Sequence, residues 1–225
     1  MRSSYIPLRT PMMPTKRFLR FTKHPKHMKN IILTLTLLLS LFHIQPMQAQ
    51  DYDSPKYLKG AVPVENGMVV FTETQRVEGK SRQQIYTALE AYAKSLLQSE
   101  VSGTQCRITE LTPATGTIAA SIEEELTFKS TAWVHDYARF FYQLVFEVKD
   151  GEYTATLRRI RYLYSKMDMT GVDNTMTAED WITDQEAINK KGKLNKVGGR
   201  KFRYATINRK DAIFADALKA AQSAQ

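Results

Sequence analysis

Cysteine occurs once in this sequence, at Cys106, and histidine occurs four times among 225 residues. A single cysteine cannot close an intramolecular disulfide, and it cannot supply the several thiolates of a metal cluster. Three of the histidines, His24, His27 and His43, lie within residues 1–49, so the rest of the chain retains only His135. These shortages exclude a disulfide-stapled scaffold and a thiolate metal centre.

The short motifs of common catalytic and cofactor sites are also missing. The sequence contains no G-x-S-x-G, no P-loop, no G-x-G-x-x-G and no H-E-x-x-H. Cys106 and His135 are the one candidate pair of a cysteine nucleophile and a histidine base, and catalysis would require a hydrogen bond between them. A lone cysteine at the start of a strand ordinarily packs as a small hydrophobic residue. We therefore predict no catalytic residue, no cofactor and no metal site.

The net charge of +9 comes from the N-terminal part of the chain. Residues 1–49 contain eight Lys or Arg and no Asp or Glu, which leaves 24 basic and 23 acidic residues in the remainder. A nearly neutral remainder lacks the electrostatic footprint of a nucleic-acid-binding protein. We therefore predict that the protein does not bind nucleic acid.

Residues 1–49 have the pattern of a secretory signal peptide. Lys29 precedes an apolar segment at residues 31–42, which is shorter than the roughly 20 residues that a transmembrane helix needs. Ala49 is a small residue suited to precede a cleavage site, so we expect cleavage near Ala49 and no transmembrane span in the mature chain. No cysteine directly follows the apolar segment, which excludes a lipid anchor there.

Two alternatives stay open for this leader. Met28 would itself begin an ordinary signal sequence, so the start of translation is either Met1 or Met28. An uncleaved anchor is the competing interpretation of the apolar segment, although its length favours a cleaved signal. The favoured interpretation is an exported protein that is periplasmic or associated with the cell surface.

The strongest structural signal is a β-hairpin within residues 139–164, RFFYQLVFEVKDGEYTATLRRIRYLY. Asp150 and Gly151 separate two alternating apolar runs, and both residues tolerate the positive φ of a type I′ turn. A two-residue turn predicts the pairs Lys149 with Glu152, Val148 with Tyr153, Phe146 with Ala155 and Leu144 with Leu157. The sheet is therefore expected to be apolar on one face and polar on the other.

The alternation breaks farther along the second strand. Ile160 and Tyr162 have the opposite parity from Leu157, so an uninterrupted ladder would turn Arg159 into the core. One inserted residue restores the phase, whereas an unpaired buried guanidinium would cost about 3 to 5 kcal/mol. We therefore predict a β-bulge near Arg158 and Arg159.

Periodicity and turn residues place the other elements of the sheet. Ser81 and Gln84 form a capping box that begins a helix, whose core face is Ile85, Leu89, Tyr92 and Leu96. The remaining expected strands are residues 68–77, 106–111 and 117–128.

Glu124 interrupts an otherwise apolar stripe in the strand at residues 117–128. Two interpretations are open. Either the run of three acids at residues 123–125 bulges outward, or Glu124 is partly buried and pairs with an arginine such as Arg159 or Arg161. We favour the bulge, because burying an ion pair seldom adds stability.

Beyond residue 165 we predict a loop and two helices, one announced by Thr177 and Asp180 and one starting near Asn208. Residues 190–210, between them, carry nine Lys or Arg and no Asp or Glu. One interpretation is a basic loop that binds an anionic ligand. The alternative is a solvated loop that balances the acidic excess of the mature chain. The candidate anion-binding residues are Lys196, Arg200, Lys201 and Arg203.

Together these elements predict an α+β fold, with an antiparallel sheet of about five strands and helices on one face. The expected order is β-α-β-β-β-β followed by C-terminal helices. The expected organisation is an export leader at 1–49, an extended lead-in at 50–66, the sheet domain at 67–165, and a helical extension at 166–225 that contains the basic loop 190–210.

Four segments carry a family resemblance: YLKGAVPVENGMVVFTET at 57–74, RRIRYLY at 158–164, TAEDWITDQEAINK at 177–190 and DAIFADALKAA at 211–221. With them, the chain resembles a family of exported Bacteroidetes proteins that contain a domain of unknown function with a TATA-binding-protein-like (TBP-like) fold. The resemblance implies a curved antiparallel sheet backed by helices and an exported setting, but no catalytic residue. Fold likeness to a DNA-binding protein is not evidence of DNA binding.

Three functional hypotheses follow from the sequence. The first is a non-enzymatic binding domain of the cell envelope, whose partner is an envelope protein or an anionic ligand. The second is an enzyme with an unrecognised site on the concave face of the sheet. The third is a structural accessory subunit of an envelope assembly.

The leader makes a direct prediction about processing. We expect the protein recovered from its own host to begin near Gln50 and to lie outside the cytoplasm, because a short apolar segment followed by a small residue is cleaved on export. Cell fractionation with N-terminal sequencing would check this. Recovery of the intact chain from the cytoplasm would contradict it.

Overall fold

The structure is a computed structural model that describes residues 51–98, 103–164 and 175–224. The leader, its cleavage site and most of the predicted loop after residue 165 lie outside the described residues. The strands are β1 (Val64–Glu65), β2 (Met68–Arg76), β3 (Arg107–Thr112), β4 (Thr117–Ser130), β5 (His135–Lys149), β6 (Glu152–Leu163) and β7 (Thr175–Thr177). The helices are a short 3₁₀ helix (Pro55–Tyr57), α1 (Arg82–Leu97), α2 (Asp184–Ala187) and α3 (Arg200–Gln222).

The strands form one antiparallel sheet in the order β1-β2-β6-β5-β4-β3, and β7 also pairs with β6. Side chains of α1 and α3 join those of one sheet face in the hydrophobic core. The α+β class and the antiparallel sheet are therefore confirmed. The count of about five strands is wrong, because the described residues already form a sheet of seven. The two additional strands, β1 and β7, are two and three residues long, too short to leave a period-two pattern.

The hairpin between β5 and β6 has the predicted register. Lys149 faces Glu152, Val148 faces Tyr153, Phe146 faces Ala155 and Leu144 faces Leu157. Gly151 has φ +71°, whereas Asp150 does not take a positive φ, so the register is confirmed but the type I′ turn, which needs a positive φ at both residues, is wrong. The apolar members of these pairs are almost fully buried, so the core-facing side of the sheet was correctly predicted.

The predicted β-bulge is confirmed at Arg159. Phe141 faces Arg161 and Gln143 faces Arg158, so three steps along β6 span two steps along β5. Arg159 takes φ +56°, a left-handed conformation that is uncommon for a residue other than glycine. Beyond this residue Ile160 is buried, as the restored phase requires.

The start of α1 also matches the sequence pattern. The Ser81 side chain accepts a hydrogen bond from the Gln84 backbone N–H, and the Gln84 side chain accepts one from the Ser81 backbone N–H. Ile85 and Leu89 have no exposed surface. The Tyr92 hydroxyl donates to the carbonyl of Ile213 at 3.0 Å, which ties α1 to α3.

The C-terminal helices begin elsewhere than predicted. Thr177 ends strand β7 instead of capping a helix, and the helix that follows, α2, has only four residues. The second helix, α3, begins at Arg200 instead of near Asn208, so half of the predicted basic loop 190–210 is helical. Gly199 precedes α3 because a Cβ there would lie 1.8 Å from the carbonyl oxygen of Trp181. Basic residues lie among the buried residues of this segment, which include Phe202, Ala205 and Thr206, so the sequence pattern did not indicate a helix there.

Arg203 on α3 is completely buried and joins three segments of the chain. Its guanidinium donates to the carbonyls of Tyr57 and Leu58 in the N-terminal lead-in, and to the carbonyl of Ile182. It also pairs with Asp184 at 2.7 Å. Burial lowers the pKa of Arg203, and the Asp184 carboxylate opposes that shift. Arg203 therefore holds the lead-in and α2 against α3.

Replacing Arg203 by Met is expected to lower the free energy of unfolding by about 3 to 5 kcal/mol, because three carbonyls and Asp184 would lose their buried donor. Denaturant unfolding measures this change. The matched control is Lys196→Met at an exposed position, which should alter stability by no more than about 0.5 kcal/mol. Equal stabilities for the two variants would contradict the proposed role of Arg203.

Candidate functional site

The sheet face opposite α1 and α3 is polar and carries a cavity of about 500 Å³. Its polar lining includes Gln105, Arg107, Ser121, Gln143, Arg159 and Arg161. We call this cavity the open-face cavity. It lies over the middle of the sheet, because its lining comes from β3, β4, β5 and β6.

Cross-strand register brings these side chains together. Arg107 of β3 faces Ser121 of β4, Ser121 faces Gln143 of β5, and Gln143 faces Arg158 of β6. Residues directly opposite one another in neighbouring strands have Cβ atoms about 5 Å apart. Positions that are 14 to 51 residues apart along the chain therefore form one polar row across four strands.

The bulge adds Arg159 and Arg161 to this row. Arg161 faces Phe141, and its guanidinium lies 5.5 Å from the centre of the Phe141 ring. The guanidinium of Arg139 lies 5.3 Å from the same ring. A ring face attracts a cation without using its N–H donors, so Arg161 is positioned while its donors stay available.

The arginines of this face differ in their partners. Arg139 forms an ion pair with Glu123, and Arg158 donates to the side-chain oxygen of Gln143 at 3.0 Å. Arg107, Arg159 and Arg161 form no ion pair and donate no side-chain hydrogen bond to any residue in the described ranges, and all three are exposed. We call these three residues the arginine trio.

Glu179 also lines the open-face cavity, and its carboxylate is already engaged. It accepts a hydrogen bond from the Val69 backbone N–H at 2.6 Å. That hydrogen bond does not remove the charge of the carboxylate, so the cavity holds three guanidinium charges against one carboxylate charge. It is a positively charged recess with neutral hydrogen-bonding groups between the guanidiniums. Such a recess can bind an anion.

A second cavity, of about 540 Å³, lies between β4 and α3. Its wall contains the ion pair of Glu124 with Arg209, whose two hydrogen bonds measure 2.7 and 2.6 Å. Desolvation lowers the pKa of Arg209, but the hydrogen bonds and the charge of Glu124 outweigh it and raise that pKa overall. The predicted outward bulge at residues 123–125 is wrong, because β4 stays paired there and Glu124 is buried.

The alternative interpretation, that Glu124 is buried and pairs with an arginine, is correct, but the arginine is not one of the two that were named. Its arginine comes from α3 instead of from Arg159 or Arg161, which face the other side of the sheet. Burial, together with the charge of Glu124, raises the pKa of Tyr142 well above its ordinary value. The Glu124–Arg209 pair binds helix to sheet, and each of its two charges is satisfied by the other.

The predicted anion-binding residues of the basic loop do not form one exposed surface. Arg203 is buried, which rules it out as a surface contact. Lys201 is half-buried, contacts Asp136 at 3.1 Å and donates to the Tyr164 hydroxyl at 2.6 Å. Arg200 lies over the ring of Tyr52 at 4.4 Å. Lys196 is exposed.

Cys106 and His135 are not brought together. The Cys106 thiol donates to the carbonyl of Glu123 at 3.1 Å, whereas His135 lies at the far end of β4, opposite Ser130. Seven residues of strand separate those two positions by about 23 Å. The His135 ring instead contacts Glu125 at 2.6 Å. This geometry excludes a nucleophile and base pair of these two residues.

Across 51–98, 103–164 and 175–224, no group of three or more His, Cys, Asp or Glu could hold a metal ion. No helix in the same part of the chain is long and apolar enough to cross a membrane.

The sequence contained a signal for the arginine trio. The phase break in β6 required Arg159 and Arg161 to leave the core, so it already placed two guanidiniums on the polar face. Arg107 gave no such signal, because an exposed arginine on a short edge strand is common in proteins and does not by itself indicate a binding site. The convergence of the three depends on strand order, which local periodicity does not specify.

Comparisons with known proteins agree with this architecture. The model of a domain of unknown function with a TBP-like fold, DUF4468, matches residues 71–163. A crystal structure of a DUF4468 family protein from Bacteroides ovatus is 32% identical with a TM-score of 0.66, over 75% of this chain and 94% of that chain. A TBP-like protein from Parabacteroides distasonis is 26% identical with a TM-score of 0.56, over 73% and 99% of the two chains. No curated protein matches this chain.

In a regular strand valine is more stable than glycine, and the left-handed backbone at Arg159 predicts the opposite order at this position. Arg159→Val should be less stable than Arg159→Gly by about 1 to 2 kcal/mol, because a β-branched residue resists positive φ. Denaturant unfolding of both variants would measure the difference. Thr156, in the regular part of β6, is the matched control, and there Val should be the more stable substitution. The ordinary order at both positions would contradict the bulge geometry.

Proposed function

This chain belongs to the DUF4468 family, whose domains have a TBP-like fold, and from that premise we propose that it is an exported, non-enzymatic domain that binds its partner through the open face of the sheet. The observation that carries the proposal is the asymmetry of the sheet. One face is covered by α1 and α3, whereas the other carries a recess lined by unpaired guanidiniums.

The lining of the open-face cavity favours binding over catalysis. A guanidinium remains protonated in proteins, so the arginine trio cannot exchange protons as a general acid or base. The carboxylate of Glu179 is engaged by a backbone N–H. What these groups offer is charge and directed hydrogen bonds, which are the means of recognising an anionic partner.

The proposed location rests on the leader. A short apolar segment after Lys29, followed by a small residue at Ala49, supports export to the periplasm or the cell surface. The nearly neutral charge of residues 50–225 supports a specific contact instead of general attraction to polyanions, because a nonspecific binder of polyanions needs an extended basic surface.

Site-specific photocrosslinking in the native host tests which face is used. A photoreactive amino acid in place of Ser121 lies on the open face, and the same residue in place of Ala91 lies on the exposed side of α1. We expect adducts from the Ser121 position and none from the Ala91 position, read by mass spectrometry. Adducts only from the Ala91 position would show that the helical face is the one in contact.

A further inference from the structure

The arginine trio is distinguished by its convergence on one recess, since other described arginines, such as Arg76, also have no carboxylate partner. Elsewhere in the described chain, Arg139, Arg203 and Arg209 each pair with a carboxylate. Arg107, Arg159 and Arg161 line one recess and pair with none. Three like charges around one cavity repel one another, and an anion between them removes that repulsion.

The bulge concentrates this charge. In a regular strand, neighbouring side chains alternate between the two faces. At the bulge, the consecutive residues Arg158 and Arg159 both lie on the polar face, because Arg158 donates to Gln143 and Arg159 lines the cavity. Arg161 follows on the same face, while Ile160 is buried between them. A bulge that re-aims a side chain is a common device beside binding sites. Arg159 adopts φ +56°, which is unfavourable for an arginine, and the same conformation directs its guanidinium into the cavity lining.

Neutral donors complete the recess. The side-chain oxygen of Gln143 accepts from Arg158, which leaves its two amide N–H groups as donors. The Ser121 hydroxyl lies next to Gln143 in the cross-strand row and is a further donor. The described polar lining thus consists mainly of groups that donate, and a ligand that fits it must consist mainly of acceptors.

We infer that the open-face cavity binds the terminal phosphate of a phosphate monoester. This group carries between about 1.5 and 2 negative charges at neutral pH and presents three acceptor oxygens, whereas a carboxylate carries one charge and two oxygens. Three guanidiniums with two flanking donors match the phosphate better. The inference names a ligand class for the surface proposed above and therefore rests on that proposal.

Titration with a soluble monoester tests the inference. Protein expressed from the full-length chain, processed by its own host, is titrated with glycerol 3-phosphate and with inorganic phosphate. The variants are Arg159→Gly, which also suits the positive φ, and Arg161→Gln and Arg107→Gln. Each is expected to raise Kd about tenfold or more, because each removes a charged hydrogen bond. Thermal unfolding confirms that each variant is folded.

Arg76→Gln is the matched control. Arg76 is exposed on β2, lies opposite Glu152 in the strand register beside the hairpin turn, and does not line the cavity. Its replacement should leave Kd unchanged. An equal loss in the control and in the trio variants would show general charge attraction and overturn the site. Acetate binding as tightly as phosphate at equal ionic strength would overturn the ligand class, as would tighter binding of a duplex oligonucleotide.

Vesicles distinguish the source of the phosphate. Sedimentation with phosphatidylcholine vesicles that contain phosphatidic acid, and not with phosphatidylcholine alone, would assign the phosphate to a lipid headgroup. Binding of glycerol 3-phosphate without vesicle binding would assign it to a soluble molecule. If crosslinks form from the Ser121 position but neither glycerol 3-phosphate, inorganic phosphate nor the vesicles with phosphatidic acid bind, the phosphate inference fails and the proposed binding face stands. If neither occurs, both fail.

Discussion

The period-two alternation of β6 against β5 is the constraint on which the rest of the sheet depends. Before the bulge, Tyr153, Ala155 and Leu157 face the core, and after it Ile160 and Tyr162 do. Without the extra residue, every side chain beyond Arg158 would change face. The core beneath α3 would then receive guanidiniums, and the open face would receive tyrosines. One left-handed residue therefore determines both the packing of the helices and the charge of the cavity.

Local patterns were sufficient wherever the determining residues were neighbours in the sequence. Asp150 and Gly151 determine the hairpin register, Ser81 and Gln84 determine the start of α1, and the phase break locates the bulge at Arg159. In each case the relevant interaction spans a few residues, or two strands joined by a tight turn. Alternation along β4 also identified its core-facing residues, because that prediction needs only the alternation of side chains within one strand.

Interactions between distant segments could not be predicted in the same way. Glu124 and Arg209 are 85 residues apart, and nothing near Glu124 shows that a helix brings a guanidinium to it. The basic stretch before Asn208 looked solvated because lysine and arginine ordinarily are, yet Arg203 satisfies carbonyls from two other segments. A charge counted along a sequence does not show whether it will be buried with a partner or left in water.

Access to water explains why arginines have carboxylate partners on the covered face of the sheet but do not require them on the open face. On the covered face, Arg203 and Arg209 need carboxylates, because an unpaired guanidinium removed from water would cost several kcal/mol. On the open face, hydration satisfies the donors of Arg159 and Arg161, so stability does not require that they have a protein partner. The residues that hold the fold together and the residues available to a ligand are therefore different sets. A guanidinium can therefore be removed at Arg107 or Arg161 without leaving a buried carboxylate unpaired, whereas at Arg159 the replacement must also accept the positive φ of the bulge.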